Sequence, residues 1–134
     1  MAILGLALLK FFLYYAVCLI APRMLQVPVL DRTSFALKWA SIRLVVGLVL
    51  AFPLFLVVTY IQNIGVPFTV AYVSTLMVAR SALWYAIARG IRSKGVPDRR
   101  PGSIAAWVAV GLVASFAIDG LANIAGAENF KFFC

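Results

Sequence analysis

Four long apolar stretches constrain this chain more than any other feature. They run over residues 2–21, 42–61, 66–88 and 104–126. At ~1.5 Å per residue, a helix of about 20 residues covers the ~30 Å hydrocarbon core of a bilayer. We therefore predict an all-α integral membrane protein, a bundle of four transmembrane helices that forms a single membrane domain over residues 1–134.

The composition supports membrane insertion and excludes an ordinary soluble domain. The chain has 134 residues, of which 65% are hydrophobic and 12% are charged. A soluble domain has about 45–50% apolar and about 25% charged residues. A domain this small leaves much of its surface exposed, so lipid must cover the excess apolar side chains.

The net charge of +8 does not indicate nucleic-acid binding. The basic residues lie in short connectors between apolar stretches, and they do not form a patch interleaved with surface aromatics on a soluble fold. Basic residues in such connectors act as topology signals and contact anionic lipid head groups. The predicted partners are the bilayer, with anionic lipids on the cytoplasmic side, and other membrane subunits or further copies of the chain.

The distribution of positive charge predicts the orientation in the membrane. Two connectors, 22–43 and 89–103, contain nine Lys and Arg residues, whereas the opposite side has Lys131 and the amino terminus. By the positive-inside rule, the basic loops 22–41 and 89–103 are cytoplasmic and both termini are on the other side. We predict the bacterial inner membrane. The three tryptophans are expected to anchor the cytoplasmic interface, and they are Trp39, Trp84 and Trp107.

The connector before the second stretch has two interpretations. Phe35, Trp39 and Ile42 fall on one helical face, which is typical of a short interfacial helix leading into the second span. The same residues also fit a cytosolic extension of the second span. Side chains that can cap a helix here are Asp31, Thr33 and Ser34.

Polar residues recur every four positions in the first and fourth stretches. This spacing places them on one helical face that differs from the lipid-facing remainder. Lys10 and Asp119 carry charge within the bilayer, where an ionised group is costly and needs a partner. The predicted intramembrane polar cluster comprises Lys10, Tyr14, Ser115, Asp119 and Asn123, with Cys18 and Gly111 completing the two faces as packing residues.

Depth in the bilayer favours Lys10 as the partner of Asp119. Counted from the predicted outer ends of their stretches, Asp119 is ~10 Å deep, Lys10 is ~12 Å deep and Arg80 is ~21 Å deep. Arg80 is therefore expected to face lipid or a partner protein, because it reaches Asp119 only with an extended side chain. The Lys10–Asp119 pair has two interpretations: a clasp between the first and last spans, which we favour, or the lining of a polar pathway.

The sequence contains few groups for catalysis or metal binding. It has no histidine and two cysteines, Cys18 and Cys134, so imidazole ligation is excluded and two separated cysteines do not make a structural zinc site alone. Asp119 is the only acid within the spans, which excludes a paired-carboxylate mechanism there. We therefore expect no enzyme activity, no catalytic residues, no metal and no cofactor.

Three functions are hypotheses for this chain. One of them, a membrane enzyme acting on lipid, would need a reactive group near the interface, and the sequence shows none. Of the other two, the first is a small structural or accessory subunit of a larger membrane complex, which would account for the absence of a catalytic set. The alternative is a small oligomeric transporter or lipid-handling protein that uses the Asp, Arg and Lys residues as a polar pathway.

Overall fold

The computed structural model describes residues 2–92, 102–124 and 126, and over these ranges it is all-helical. Its helices are α1 (Ala2–Met24), α2 (Arg32–Asn63), α3 (Phe68–Arg92) and α4 (Ser103–Ile124). Each is long and apolar enough to cross a membrane. The predictions of an all-α fold with four candidate spans, and of a multi-pass membrane protein, are therefore confirmed.

The helices pack in a closed ring. The principal contacts join α1 to α2, α2 to α3, α3 to α4 and α4 back to α1. The link between α2 and α3 is a tight turn in which Gly65 has a φ of +97° and donates to the Gln62 carbonyl at 2.9 Å. Only glycine adopts this backbone conformation readily. At the other end, Arg92 donates to the Leu25 carbonyl at 3.2 Å and to the Ser103 hydroxyl at 3.0 Å.

The second helix begins ten residues before the predicted span and corrects the boundary of the first basic loop. Residues 32–41 are the first turns of α2, so they form one continuous helix with the span. Asp31 is its N-cap and accepts from the backbone N–H groups of Thr33 and Ser34 at 3.0 and 3.4 Å, and from the Ser34 hydroxyl at 2.8 Å. These hydrogen bonds, chiefly that of the Ser34 hydroxyl, lower the pKa of the Asp31 carboxyl.

The first helix also extends beyond its predicted end. The predicted stretch stops at residue 21, but α1 continues through Pro22 to Met24. The helix instead ends where Gln26 adopts a φ of +56° and the Val27 N–H donates to the Pro22 carbonyl at 3.0 Å, the arrangement of a Schellman-type cap.

The predicted polar faces of α1 and α4 point into the bundle. Lys10, Tyr14 and Cys18 are all fully buried. On α4, three of the four predicted positions, Gly111, Ser115 and Asp119, are buried, whereas Asn123 is exposed. The periodicity therefore predicted the inward face of both helices correctly, except for the last turn of α4.

Some predicted features lie outside the described residues. They belong to the second basic loop and to the aromatic carboxyl-terminal tail. The residues concerned are Lys94, Asp98, Arg99, Arg100, Glu128, Phe130, Lys131, Phe132, Phe133 and Cys134.

Candidate functional site

A buried ion pair joins α3 to α4. The Arg80 Nη1 atom lies 2.6 Å from the Asp119 Oδ2 atom, and the two side chains are 0% and 8% exposed. The Tyr72 hydroxyl donates to the same oxygen at 3.2 Å. The Arg80 guanidinium carbon also lies 4.7 Å from the centre of the Phe116 ring, which adds a cation–π contact. The guanidinium and the phenol thus both engage the Oδ2 atom of Asp119 inside the bundle.

The identity of this pair corrects the expectation that Lys10 is the better partner of Asp119. Arg80 faces Asp119 inside the bundle, not lipid or another protein. Depth counted from helix ends assumes that neighbouring helices end at the same height, and it undervalues the long arginine side chain. Lys10 is itself fully buried on α1.

Tyr72, which is not among the site residues predicted from the sequence, precedes Arg80 by eight residues. Eight residues make a little over two helical turns, so both side chains lie on the same side of α3. Leu76 lies midway and is fully buried. The sequence signal that could have found Tyr72 is its place in a four-residue period that runs from Tyr72 to Ala88. The structure buries every residue of that period.

Arg43, a third buried cation in addition to Arg80 and Lys10, lies in an aromatic cluster between α1, α2 and α3. The Arg43 guanidinium carbon is 4.9 Å from the centre of the Tyr14 ring and 5.1 Å from that of Trp84. All three side chains are fully buried. In the sequence, Arg43 belongs to the basic connector 22–43, whose cations are predicted to set the topology, but its side chain lies inside the bundle. A sequence signal for this burial is that small residues share the face of α2 on which Arg43 lies. They are Ala36, Ala40 and Gly47.

The tryptophans of α3 and α4 pack inside the bundle, which corrects their assignment as interfacial anchors. Trp84 and Trp107 are fully buried and meet edge to face, with ring centres 5.0 Å apart. Trp84 Nε1 donates to the Ser115 hydroxyl at 3.3 Å, and Trp107 Nε1 donates to the Val17 carbonyl at 3.1 Å. A buried indole is stable when its N–H has such an acceptor. Trp39 is only partly buried.

Gly111 leaves the space that the Trp84 ring occupies. A Cβ atom at position 111 would lie 2.5 Å from both Cδ2 and Cε2 of Trp84. The ring cannot retreat easily, because it is already packed against Tyr14 and Trp107. The small residues Gly111 and Ser115 therefore allow α4 to contact the indole on α3 closely.

We predict that Gly111→Ala destabilises the protein by about 1–3 kcal/mol, because the added methyl group overpacks the Trp84 ring. Gly120→Ala is the matched control on the same helix, since its Cβ meets nothing within 4 Å. Thermal unfolding in detergent micelles measures both. Equal melting temperatures for the two variants would contradict the packing assigned to Gly111.

A cavity of about 350 Å³ lies beside Asp119, between the start of α3 and the end of α4. Its walls are largely apolar and aromatic, and Asp119 and the exposed Asn123 add polar groups. The Oδ1 atom of Asp119 is buried and accepts no hydrogen bond from the described residues. The lining comprises Phe68, Thr69, Tyr72, Val73, Phe116, Asp119, Gly120 and Asn123.

We predict strong energetic coupling between Arg80 and Asp119. Asp119→Asn or Arg80→Gln alone leaves the partner charge buried, and each is expected to cost about 3–5 kcal/mol. The double variant should lose much less than the sum of the single losses. A double-mutant cycle by unfolding in detergent micelles checks this, and additive losses would show that the two side chains do not interact.

Known proteins supply no family for this chain. It matches no protein-family model, no curated protein and no solved structure in the comparisons made. We therefore base the functional proposals on the geometry of the described residues.

Proposed function

We propose that the protein is a small structural or accessory subunit of a larger membrane protein complex, contributing helix packing and lipid contacts and no catalysis. The observation that carries the proposal is a contrast between the inside and the outside of the bundle. Each of the four helices turns one charged side chain inward, while the membrane-spanning part of α2 has an outer surface that is apolar and little covered.

The inside of the bundle supports a structural role for its charges. Asp119 is held by Arg80 and Tyr72, and Arg43 lies between the rings of Tyr14 and Trp84. Such contacts fix the rotation of each helix relative to its neighbours. The Asp119 carboxylate therefore has an internal partner, which favours a structural role for it.

The outside of α2 supports a docking role. Only 17% of its most apolar stretch is buried within the protein, compared with 33% for each of the other three spans. Its outward side chains are large and apolar, and such a surface suits either lipid or the helices of another subunit. The most exposed of them include Val45, Val49, Phe52, Leu56 and Tyr60.

The proposed setting is the bacterial inner membrane, with the basic connectors on the cytoplasmic side and both termini on the opposite side. The exposed Arg23, Arg32, Lys38 and Arg89 support this orientation, because they cluster where α1 ends, α2 begins and α3 ends. The proposed partners are other membrane subunits or a second copy of the chain.

We predict that the protein co-purifies with other membrane chains in a mild detergent, and that Val49→Trp weakens this association. An overpacked helix contact costs about 1–3 kcal/mol, which corresponds to about a 5-fold or greater loss of affinity. Quantitative mass spectrometry of the purified complex measures the ratio of partner to bait.

Val113→Trp on α4 is the matched control. Val49 and Val113 are the same residue type and are 69% and 71% exposed. If the outward face of α2 is the docking surface, only Val49→Trp lowers the ratio of partner to bait. A monodisperse wild-type particle that contains one copy of this chain and nothing else would overturn the subunit proposal, and light scattering distinguishes it from a homo-oligomer.

A second candidate function, transport or lipid handling by a small oligomer, is favoured by the cavity beside Asp119. The cavity brings a buried carboxylate next to an opening between α3 and α4. A pathway through the bundle would need a polar group placed in this way. This candidate differs from the first in requiring the cavity to be open.

We predict that, if this candidate holds, Gly120→Leu abolishes flux while Gly5→Leu does not. Both glycines lie on candidate spans with open space at the Cβ position, but only Gly120 lines the cavity. Proteoliposomes provide two readouts: translocation of a fluorescent phospholipid and proton leak reported by an entrapped pH dye. Wild-type vesicles that match empty vesicles in both readouts would eliminate this candidate.

A further inference from the structure

A groove of about 320 Å³ lies at the end of the bundle where α1 ends and α2 begins. One side is the connector formed by residues 27–30, and the other sides come from the first turns of α2 and the last turn of α3. It is separate from the cavity beside Asp119, which lies near the start of α3 and the end of α4. The groove is therefore at the opposite end of α3 from that cavity.

The walls of the groove are apolar, and its single charged lining residue is Lys38. Phe35 and Trp39 form one wall, with ring centres 6.3 Å apart. Leu30 is fully exposed on the connector, so its side chain is available to an apolar ligand in the groove. The Lys38 Nζ atom lies 5.8 Å from the centre of the Trp39 ring, so the charge stands directly beside the apolar wall.

The charges around the groove favour an anion. Arg32 and Arg89 are exposed close to it in the chain, the first at the start of α2 and the second next to the lining residue Gly90. Asp31 is the one acid that the structure describes at this end, and its carboxylate already accepts three hydrogen bonds from the cap of α2. A phosphate near Lys38 thus meets more positive than negative charge.

We propose that this groove binds one anionic phospholipid, with the phosphate at Lys38 and part of an acyl chain against Phe35, Trp39 and Leu30. An apolar wall beside an exposed cation is complementary to a ligand that is itself amphipathic and negatively charged. The groove lies at the ends of three candidate spans, where hydrocarbon gives way to head groups and where Trp and Lys are favoured. The site does not depend on the proposed subunit function, because a lipid can bind an isolated copy of the chain.

The test is lipid binding to the purified protein, measured by native mass spectrometry with phosphatidylglycerol and with phosphatidylcholine of identical acyl chains. We expect wild-type protein to retain phosphatidylglycerol preferentially. Lys38→Gln should lower its affinity for phosphatidylglycerol by about 5-fold, since one lysine near an anionic lipid contributes about that factor. The same substitution should leave phosphatidylcholine binding nearly unchanged.

Arg32→Gln is the matched control. It removes the same charge from the same end of α2, but Arg32 does not line the groove. Equal losses for Lys38→Gln and Arg32→Gln would show a diffuse charge effect and overturn the site. Equal wild-type affinity for the two lipids would overturn it as well. Circular dichroism of each variant verifies that α2 remains helical, so that a folding defect is not mistaken for lost binding.

Discussion

A carboxylate buried among apolar helices is costly unless it is paired, and this constraint organises the described structure. Asp119 is stabilised by the Arg80 guanidinium at 2.6 Å and by the Tyr72 hydroxyl at 3.2 Å. Because both donors belong to α3, the pair defines how α3 and α4 face each other. Loss of either charge would leave the other buried without its counterion, which is costlier than an apolar contact of the same size.

The aromatic cluster extends the same arrangement to α1 and α2. Trp84 lies one helical turn from Arg80, contacts Tyr14 on α1 and Trp107 on α4, and donates to Ser115. Arg43 on α2 is held by the rings of Tyr14 and Trp84. Gly111 makes room for the indole at the centre. Polar contacts and tight packing therefore cooperate, since the hydrophobic effect between helices is weak within lipid.

Turning charge inward leaves an outer surface for apolar partners. Among the openings of the described residues, two differ clearly in the charge that they present. The cavity beside Asp119 presents a carboxylate, whereas the groove at the other end of α3 presents Lys38 beside aromatic rings. The open face of α2 is a third surface, and its side chains suit another helix or lipid. The proposed accessory role rests on the open face of α2, whereas transport would depend on the cavity beside Asp119.

The sequence by itself determined the four apolar helices and most of their inward faces. Hydropathy and a four-residue period are local properties, so they identified Lys10, Tyr14, Ser115 and Asp119 as interior positions. Only the tertiary structure decided that Asp119 pairs with Arg80 and that Arg43 and the two tryptophans, Trp84 and Trp107, are buried. The reason is that the relative height and rotation of neighbouring helices come from side-chain packing between them, which no single stretch of sequence encodes.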